Sequence, residues 1–161
     1  MNYKLKIAWL YPDLMSTYGD RGNVIVLKKR CEWREIEIVV SEITLDTRNS
    51  ELSQCDLIFM GGAQDRQQKL VSMDFLKNKA PVIKEMVETG LPALFVCAAY
   101  QAIGHYYKPY QGDPILGPGI FDLYTEHPGD QAKRLIGNVV AEILASSVQR
   151  LASRTIVGFE N

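Results

Sequence analysis

The sequence predicts an α/β fold, a mostly parallel sheet flanked by helices, with an antiparallel extension near its C-terminus. Within the first hundred residues, four apolar segments alternate with helical patterns, which indicates parallel strands joined by right-handed crossovers. With 161 residues, of which 47% are hydrophobic and 23% charged, the chain has the composition of a globular protein. We therefore expect a single domain over residues 1–161.

Residues 5–11 form the first predicted strand, which is mostly apolar and ends before Pro12 because proline lacks a donor for the sheet. A polar turn over residues 16–23 leads into a helix, for which Asp20 is the expected N-cap. The GxxG spacing of this turn is not a dinucleotide-binding fingerprint, and no GxxxxGK[ST] motif occurs in the chain. The first strand–loop–helix unit therefore gives little support for nucleotide binding.

The second strand is predicted over residues 35–43, where charged and β-branched residues alternate as they do in a strand near a sheet edge. Residues 45–54 are then expected to form a polar connector. The third strand, residues 55–60, ends at Gly61-Gly62. Two glycines at this position either expose backbone N–H groups to a ligand or form a plain tight turn, and the sequence leaves both readings open.

Helical segments are predicted over residues 70–78 and 82–88, separated around Pro81 and ended by Gly90. The apolar run that follows ends in Cys97, and small residues come directly after it. This pattern predicts a sharp strand-to-helix turn, which is where many α/β enzymes hold a nucleophile. A buried core thiol is the alternative, since free cysteine is among the most buried residue types.

The turn after Tyr11, the Gly61-Gly62 pair and Cys97 all follow predicted strands directly. Ligands of open α/β sheets bind outside the carboxyl ends of the strands. These three loops are therefore expected to meet at one edge of the sheet. Beyond residue 104, residues 108–119 read as turns, and two strands are predicted at residues 134–144 and 154–159.

Composition argues against several classes of function. The formal net charge is −1 and no segment concentrates Lys or Arg, which argues against a nucleic-acid or membrane surface. The three cysteines are widely spaced without a CxxC pair, as expected of reduced thiols rather than of a disulfide framework or a metal site. No apolar run has the length of a signal or membrane segment. We therefore expect a cytoplasmic protein.

A thiolate nucleophile needs an oxyanion hole and a base. The main-chain N–H groups of Gly62 and Ala98 are the expected oxyanion donors. A base is harder to find, since the chain has only two histidines. His105 is expected to cap the end of the helix after Cys97, and His127 to be a solvated loop residue.

Six segments, in order along the whole chain, form a specific pattern. They are Tyr11-Pro12-Asp13-Leu14, Thr17-Tyr18-Gly19-Asp20-Arg21-Gly22-Asn23, Gly61-Gly62-Ala63-Gln64-Asp65-Arg66, Val96-Cys97-Ala98-Ala99-Tyr100-Gln101, Arg134-Leu135-Ile136-Gly137-Asn138 and Val157-Gly158-Phe159-Glu160-Asn161. This pattern resembles the GatD family, the glutamine amidotransferase subunits of lipid II isoglutaminyl synthases. These are class I amidotransferases related to the cobyric acid synthase amidotransferase domain, and the resemblance implies the flavodoxin-like class I glutamine amidotransferase fold.

The resemblance implies a glutaminase in which Cys97 forms a thioester with L-glutamine and releases ammonia. Gly62 and Ala98 would be the oxyanion donors, Gln101 would lie beside the pocket, and Arg134 would bind the substrate. The partner would be a MurT-like Mur-ligase subunit that uses ATP and Mg²⁺ to activate the D-glutamate of the lipid II stem peptide. No cofactor or metal is expected on this chain itself.

Two departures from the family pattern carry expectations of their own. The family usually has glycines where this chain has Ala98 and Ala99, so a methyl group would strain the turn if φ were positive there. The pattern also continues past residue 161 to the catalytic histidine, so the chain resembles the N-terminal two thirds of the subunit, as a fragment or a shortened relative. On its own it is expected to release little ammonia. The alternatives are a cobyric-acid-synthase-like amidotransferase, a non-catalytic partner-binding module and another thiol hydrolase.

Overall fold

The computed structural model describes residues 3–130, 133, 135–142 and 155–160. The chain divides into two compact units, one extending to His127 and the other beginning at Pro128. The first unit contains the predicted α/β sheet and carries the candidate site. In the described part of the chain, no helix has the length and apolar character needed to cross a membrane.

The main sheet of the first unit has four strands, and every neighbouring pair in it is parallel. In chain order the strands are β1 (Lys4–Leu10), β2 (Glu37–Ile43), β3 (Leu57–Met60) and β4 (Ala93–Phe95). Their spatial order is β2-β1-β3-β4, with Ile7 of β1 opposite Val40 on one side and Leu57 on the other. The predicted parallel sheet is therefore confirmed, and β2 lies at one end of it.

Helices cover both faces of this sheet, because successive side chains of β1 point to opposite sides. Ile7 and Trp9 pack with Phe59 and with Val24 of α1 (Arg21–Glu32). The other face packs against α2 (Asn49–Leu52), α3 (Asp65–Asp74), α4 (Ala80–Glu88) and α5 (Ala98–Ala102). Burial of each large aliphatic side chain in these clusters stabilises the fold by about 1.5–3 kcal/mol. The sheet therefore lies between two hydrophobic clusters.

The prediction that two helices separate around Pro81 is wrong. A π-helical segment, Phe75–Lys79, links α3 to α4 without interruption, and Pro81 stands in the first turn of α4. The wider π-helical turn before it, in which the Ala80 N–H donates to Phe75 O, accommodates the proline within a continuous helix. Gly90 does end the helix, as predicted.

The end of α4 has the hydrogen bonds of a Schellman motif. Gly90 has a φ of 98°, its N–H donates to Val87 O at 2.9 Å, and the Leu91 N–H donates to Met86 O at 2.9 Å. The left-handed residue turns the chain directly into β4. Glycine is required at position 90 because a Cβ is disfavoured at this φ.

The remaining elements are short. The connector predicted over residues 45–54 contains α2, whose Leu52 is fully buried. After α5, the strands β5 (Tyr106–Lys108), β6 (Ile115–Leu116) and β7 (Thr125–Glu126) form a small sheet in the order β6-β5-β7. In the second unit, β8 (Gly137–Glu142) pairs antiparallel with β9 (Thr155–Glu160). This pair confirms the predicted antiparallel extension.

Candidate active site

Cys97 lies on the turn between β4 and α5 in a strained backbone conformation. Its φ is 57° and its ψ is −117°, a combination that non-glycine residues rarely adopt. The thiol is exposed, whereas Cys31 and Cys55 are buried. The predicted strand-to-helix turn is present and presents this side chain to solvent, which excludes the alternative of a buried core thiol.

Ala98 and Ala99 do not strain this turn. Neither residue has a positive φ, because the left-handed conformation falls on Cys97. Both lie in the first turn of α5 and pack into the core, where they are 1% and 0% exposed. The turn therefore accepts alanine at these positions, and the two methyl groups contribute to packing.

Gly62 lies directly against Cys97. A Cβ atom built on Gly62 would stand 3.1 Å from Cβ of Cys97, 3.2 Å from its Sγ and 3.1 Å from Cδ2 of Tyr18. The loop after β1 also reaches this point, since the Thr17 N–H donates to Gly62 O at 3.1 Å. The loops that follow β1, β3 and β4 thus meet at one edge of the sheet.

The glycine pair does not form a tight turn with left-handed residues, because neither Gly61 nor Gly62 has a positive φ. These positions need glycine for close approach instead. A Cβ on Gly61 would stand 2.6 Å from Met15 O and from Cβ and Cγ of Asp20. The loop after β1 can pack closely on the segment after β3 only because residues 61 and 62 have no side chains.

Two main-chain donors flank the thiol. In the described part of the chain, neither the Gly62 N–H nor the Ala98 N–H donates a hydrogen bond, whereas the Ala99 N–H donates to Val96 O at 3.1 Å. Free N–H groups on the residue after a nucleophile and on a neighbouring loop are the usual parts of an oxyanion hole. Their roles in this chain remain predictions.

Gln101 lies on α5, one turn beyond Cys97. Its side chain is half-buried, and its N–H donates to Cys97 O at 3.3 Å. Arg134, the other residue predicted to contact substrate, lies outside the described residues. Its role stays a prediction.

Of the two histidines, only His127 has the surroundings predicted for it. The helix after Cys97 ends at Ala102, so His105 lies beyond it and pairs with Asp122, with 2.9 Å between Nε2 and Oδ1. The prediction that His105 caps this helix is therefore wrong, because the helix is shorter than the sequence suggested. His127 is exposed, as predicted, and its ring centroid lies 5.0 Å from that of Tyr110.

A pair that the sequence did not single out, Tyr107 and Asp65, borders the site. Tyr107 lies on β5 and is buried, and its hydroxyl donates to Asp65 Oδ1 at 3.2 Å. Burial raises the pKa of Tyr107, and the Asp65 carboxylate and the nearby Cys97 raise it further. The contact joins segments 42 residues apart, so no local sequence pattern reveals it.

Asp20 takes the predicted N-cap position of α1, but its side chain does not cap the helix. It is 3% exposed, and Oδ2 accepts a hydrogen bond from the Tyr18 N–H at 3.3 Å. Because Asp20 also packs on Gly61, it fixes the loop that carries Tyr18 beside the thiol. The sequence pattern predicted the position of Asp20 before α1 but not its hydrogen bond with Tyr18.

Comparison with known proteins agrees with this geometry. The family model of the CobB/CobQ-like glutamine amidotransferase domain matches residues 6–161 of this chain. The lipid II isoglutaminyl synthase (glutamine-hydrolyzing) subunit GatD of Staphylococcus aureus (strain N315) is 37% identical over 159 residues, which cover 99% of this chain and 60% of the relative. The subunit of the same name from Streptococcus pneumoniae (strain ATCC BAA-255 / R6) is 33% identical over 137 residues, which cover 85% and 51%.

The chain thus spans 60% and 51% of the length of these two relatives. The family match covers nearly all of its own residues, including the turn that carries Cys97 and the glycine pair beside it. The resemblance inferred from the six sequence segments is confirmed. The chain belongs to the CobB/CobQ-like glutamine amidotransferase family.

Proposed function

We propose that the chain is the glutamine-hydrolysing part of an amide-forming complex, and that Cys97 is its nucleophile. One observation carries the proposal. The exposed thiol of Cys97 stands on a strained strand-to-helix turn against Gly62, in a chain of the glutamine amidotransferase family. A backbone conformation of this kind is retained where it holds a reactive side chain in place.

The proposed reaction has two steps. The thiolate of Cys97 attacks the side-chain carboxamide carbon of L-glutamine. The C–S bond forms, the C–N bond breaks, and the nitrogen takes up a proton and leaves as ammonia. Water then attacks the thioester carbon, the C–S bond breaks, and glutamate leaves while the thiol recovers its proton.

Negative charge develops on the carbonyl oxygen in both steps. The N–H groups of Gly62 and Ala98 would stabilise this charge, each by about 3 kcal/mol of the barrier. The Thr17 N–H donates to Gly62 O, which ties the loop after β1 to the residue that carries one of these donors. Gln101 would contact the substrate from α5, and the guanidinium of Arg134 would bind the substrate carboxylate through paired hydrogen bonds.

The ammonia would be consumed by a partner. Both relatives bear the name of a glutamine-hydrolysing lipid II isoglutaminyl synthase subunit. We infer that a MurT-type, Mur-ligase-like subunit uses ATP and Mg²⁺ to activate the D-glutamate carboxylate of the lipid II stem peptide, in the cytoplasm. The sequence has no GxxxxGK[ST] motif, in agreement with ATP chemistry on the partner and no cofactor on this chain.

A second candidate function is a non-catalytic module that docks such a partner. It is favoured because, among the residues that the structure describes, the His105 side chain hydrogen-bonds to Asp122 and not to Cys97. Ammonia measurements on the complex with a Mur-ligase-like subunit separate the two functions. Release of ammonia from glutamine that Cys97→Ser abolishes supports the glutaminase; its absence in a stable complex favours the docking module.

Alkylation tests the nucleophile directly. The purified chain is incubated with a chloroketone analogue of L-glutamine, whose C–Cl bond breaks as the thiolate forms a C–S bond, and the modified peptides are identified by mass spectrometry. Cys97 is expected to react first, and Cys97→Ser is expected to leave the chain unmodified on the same timescale. Earlier modification of Cys31 or Cys55 would contradict the assignment.

A further inference from the structure

We propose that Asp65, oriented by Tyr107, binds the α-ammonium group of the glutamine substrate. This inference rests on the proposed glutaminase function and deepens it, since it assigns the recognition of one end of the substrate. It concerns a residue that begins α3, three positions after Gly62.

Asp65 is placed within reach of the nucleophile by two connections. Through the chain, it follows Gly62, whose backbone lies against Cys97. Through space, its Oδ1 accepts the hydroxyl hydrogen of Tyr107 at 3.2 Å, and Tyr107 is close enough to Cys97 for the thiol to influence its pKa. Asp65 and Tyr107 therefore both lie in the neighbourhood of Cys97.

The Asp65 carboxylate keeps a free acceptor. Within the residues that the structure describes, its Oδ2 accepts no hydrogen bond and forms no ion pair, and the side chain is exposed. The nearby Asp20 is a poorer acceptor for a ligand, because it is buried and its Oδ2 already holds the Tyr18 N–H. Asp65 thus keeps an exposed carboxylate oxygen that can receive a cation from solvent.

The substrate supplies that cation. L-Glutamine carries an α-ammonium and an α-carboxylate at one end and the reacting carboxamide at the other, separated by a short aliphatic chain. When Cys97 attacks the carboxamide, the α-ammonium must lie near the thiol. A carboxylate with one oxygen fixed by a buried tyrosine suits this group, because charge-assisted hydrogen bonds are strong when the acceptor is held in place.

Asp65 has a simpler structural explanation that the experiment must separate. An acidic side chain in the first turn of α3 interacts favourably with the helix dipole, and its bond to Tyr107 ties β5 to α3. If that were its whole role, Asp65→Asn would lower the free energy of unfolding and leave the choice of substrate unchanged.

The experiment compares two chloroketones on the purified chain. One is the analogue of L-glutamine, and the other is 5-chloro-4-oxopentanoate, which has the same reactive group and carboxylate but no ammonium. Asp65→Asn is the informative variant, because its amide oxygen can still accept from Tyr107 while the negative charge is lost. Glu88→Gln, an exposed change at the end of α4, is the matched control.

Wild type and Glu88→Gln are expected to be alkylated at Cys97 about tenfold faster by the amino reagent at subsaturating concentration, whereas Asp65→Asn is expected to lose this preference. Tyr107→Phe should reduce the preference by raising the half-saturating concentration without changing the maximal rate. An unchanged preference in Asp65→Asn, or equal rates for both reagents in wild type, would overturn the assignment. If L-glutamine also failed to slow alkylation of wild type, the glutaminase function itself would be contradicted.

Discussion

The backbone of Gly62 lies against the side chain of Cys97, so closely that a Cβ on residue 62 would stand 3.1 Å from Cβ of Cys97 and 3.2 Å from its Sγ. These distances are tighter than most contacts that real Cβ atoms make. The nucleophile and one proposed oxyanion donor are therefore positioned by the same contact. A change on either residue should alter the chemistry before it alters the fold.

Gly62→Ala is expected to slow alkylation of Cys97 by the glutamine chloroketone at least about tenfold. The new methyl group would push on the thiol and on Tyr18, and a displaced donor loses much of its stabilisation of the transition state. Since φ is not positive at residue 62, the free energy of unfolding should fall by only about 1–2 kcal/mol. An alanine variant with the wild-type alkylation rate would contradict the proposed geometry.

Gly61→Ala is expected to be more damaging to the fold. Its Cβ would stand 2.6 Å from the backbone oxygen of Met15, which cannot move without displacing the loop after β1, so we expect a loss of about 3 kcal/mol. Gly22→Ala in α1 is the matched control, because a Cβ there meets nothing within 4 Å. That variant should gain about 0.5 kcal/mol from helix propensity. Urea unfolding of both variants tests the difference, and equal stabilities would refute it.

Cys97→Gly is expected to stabilise the chain by about 1 kcal/mol relative to Cys97→Ala. Both variants lack the thiol, but only glycine relieves the conformation with φ 57° and ψ −117°. The comparison isolates backbone strain from loss of the side chain. Identical midpoints of thermal unfolding would show that the turn is not strained.

Tyr11→Phe is expected to change how stability depends on pH. Burial raises the pKa of Tyr11 far above its usual value, and the hydrogen bond to Asp74 (2.6 Å) and the charge of Asp74 raise it further. The native state therefore holds this proton more tightly than the unfolded state, so the stabilisation is complete below about pH 10 and is lost as the pH rises above it.

Urea unfolding at neutral pH and between about pH 10 and 11 tests this prediction. The variant should be less stable by about 1–3 kcal/mol at neutral pH, because Asp74 loses a donor. Its stability should then decline less steeply than that of wild type as the pH rises. Parallel curves would mean that Tyr11 ionises equally in both states.

The sequence predicted the parallel sheet and the position of Cys97 because both depend on local patterns. Apolar runs between helices mark the strands, and a cysteine followed by small residues marks the turn. The break predicted at Pro81 was wrong, since a π-helical segment directly before the proline lets the helix continue through it. The end of α5 was also predicted wrongly. This helix ends at Ala102, before His105, and no proline marks its end in the sequence.

The pairing of Tyr107 with Asp65 was beyond prediction from the sequence. It depends on how β5 packs beside α3 and α5. A contact between residues so far apart in the sequence produces no periodic pattern of residues that would predict it. Asp20 illustrates the same limit, since its place before α1 predicts a cap whereas its carboxylate instead binds the Tyr18 N–H. Local sequence patterns can therefore predict where such a residue lies along the chain, whereas its contacts are determined by tertiary packing.

In the proposed function Cys97 acts on glutamine bound beside Gly62, and protection of the thiol by substrate tests this most directly. The rate of Cys97 modification by iodoacetamide is measured by mass spectrometry with increasing L-glutamine, with D-glutamine as the control. We expect L-glutamine to slow modification of Cys97 in a saturable manner and D-glutamine to have little effect. A rate that is independent of L-glutamine, or equal protection by both enantiomers, would contradict the account.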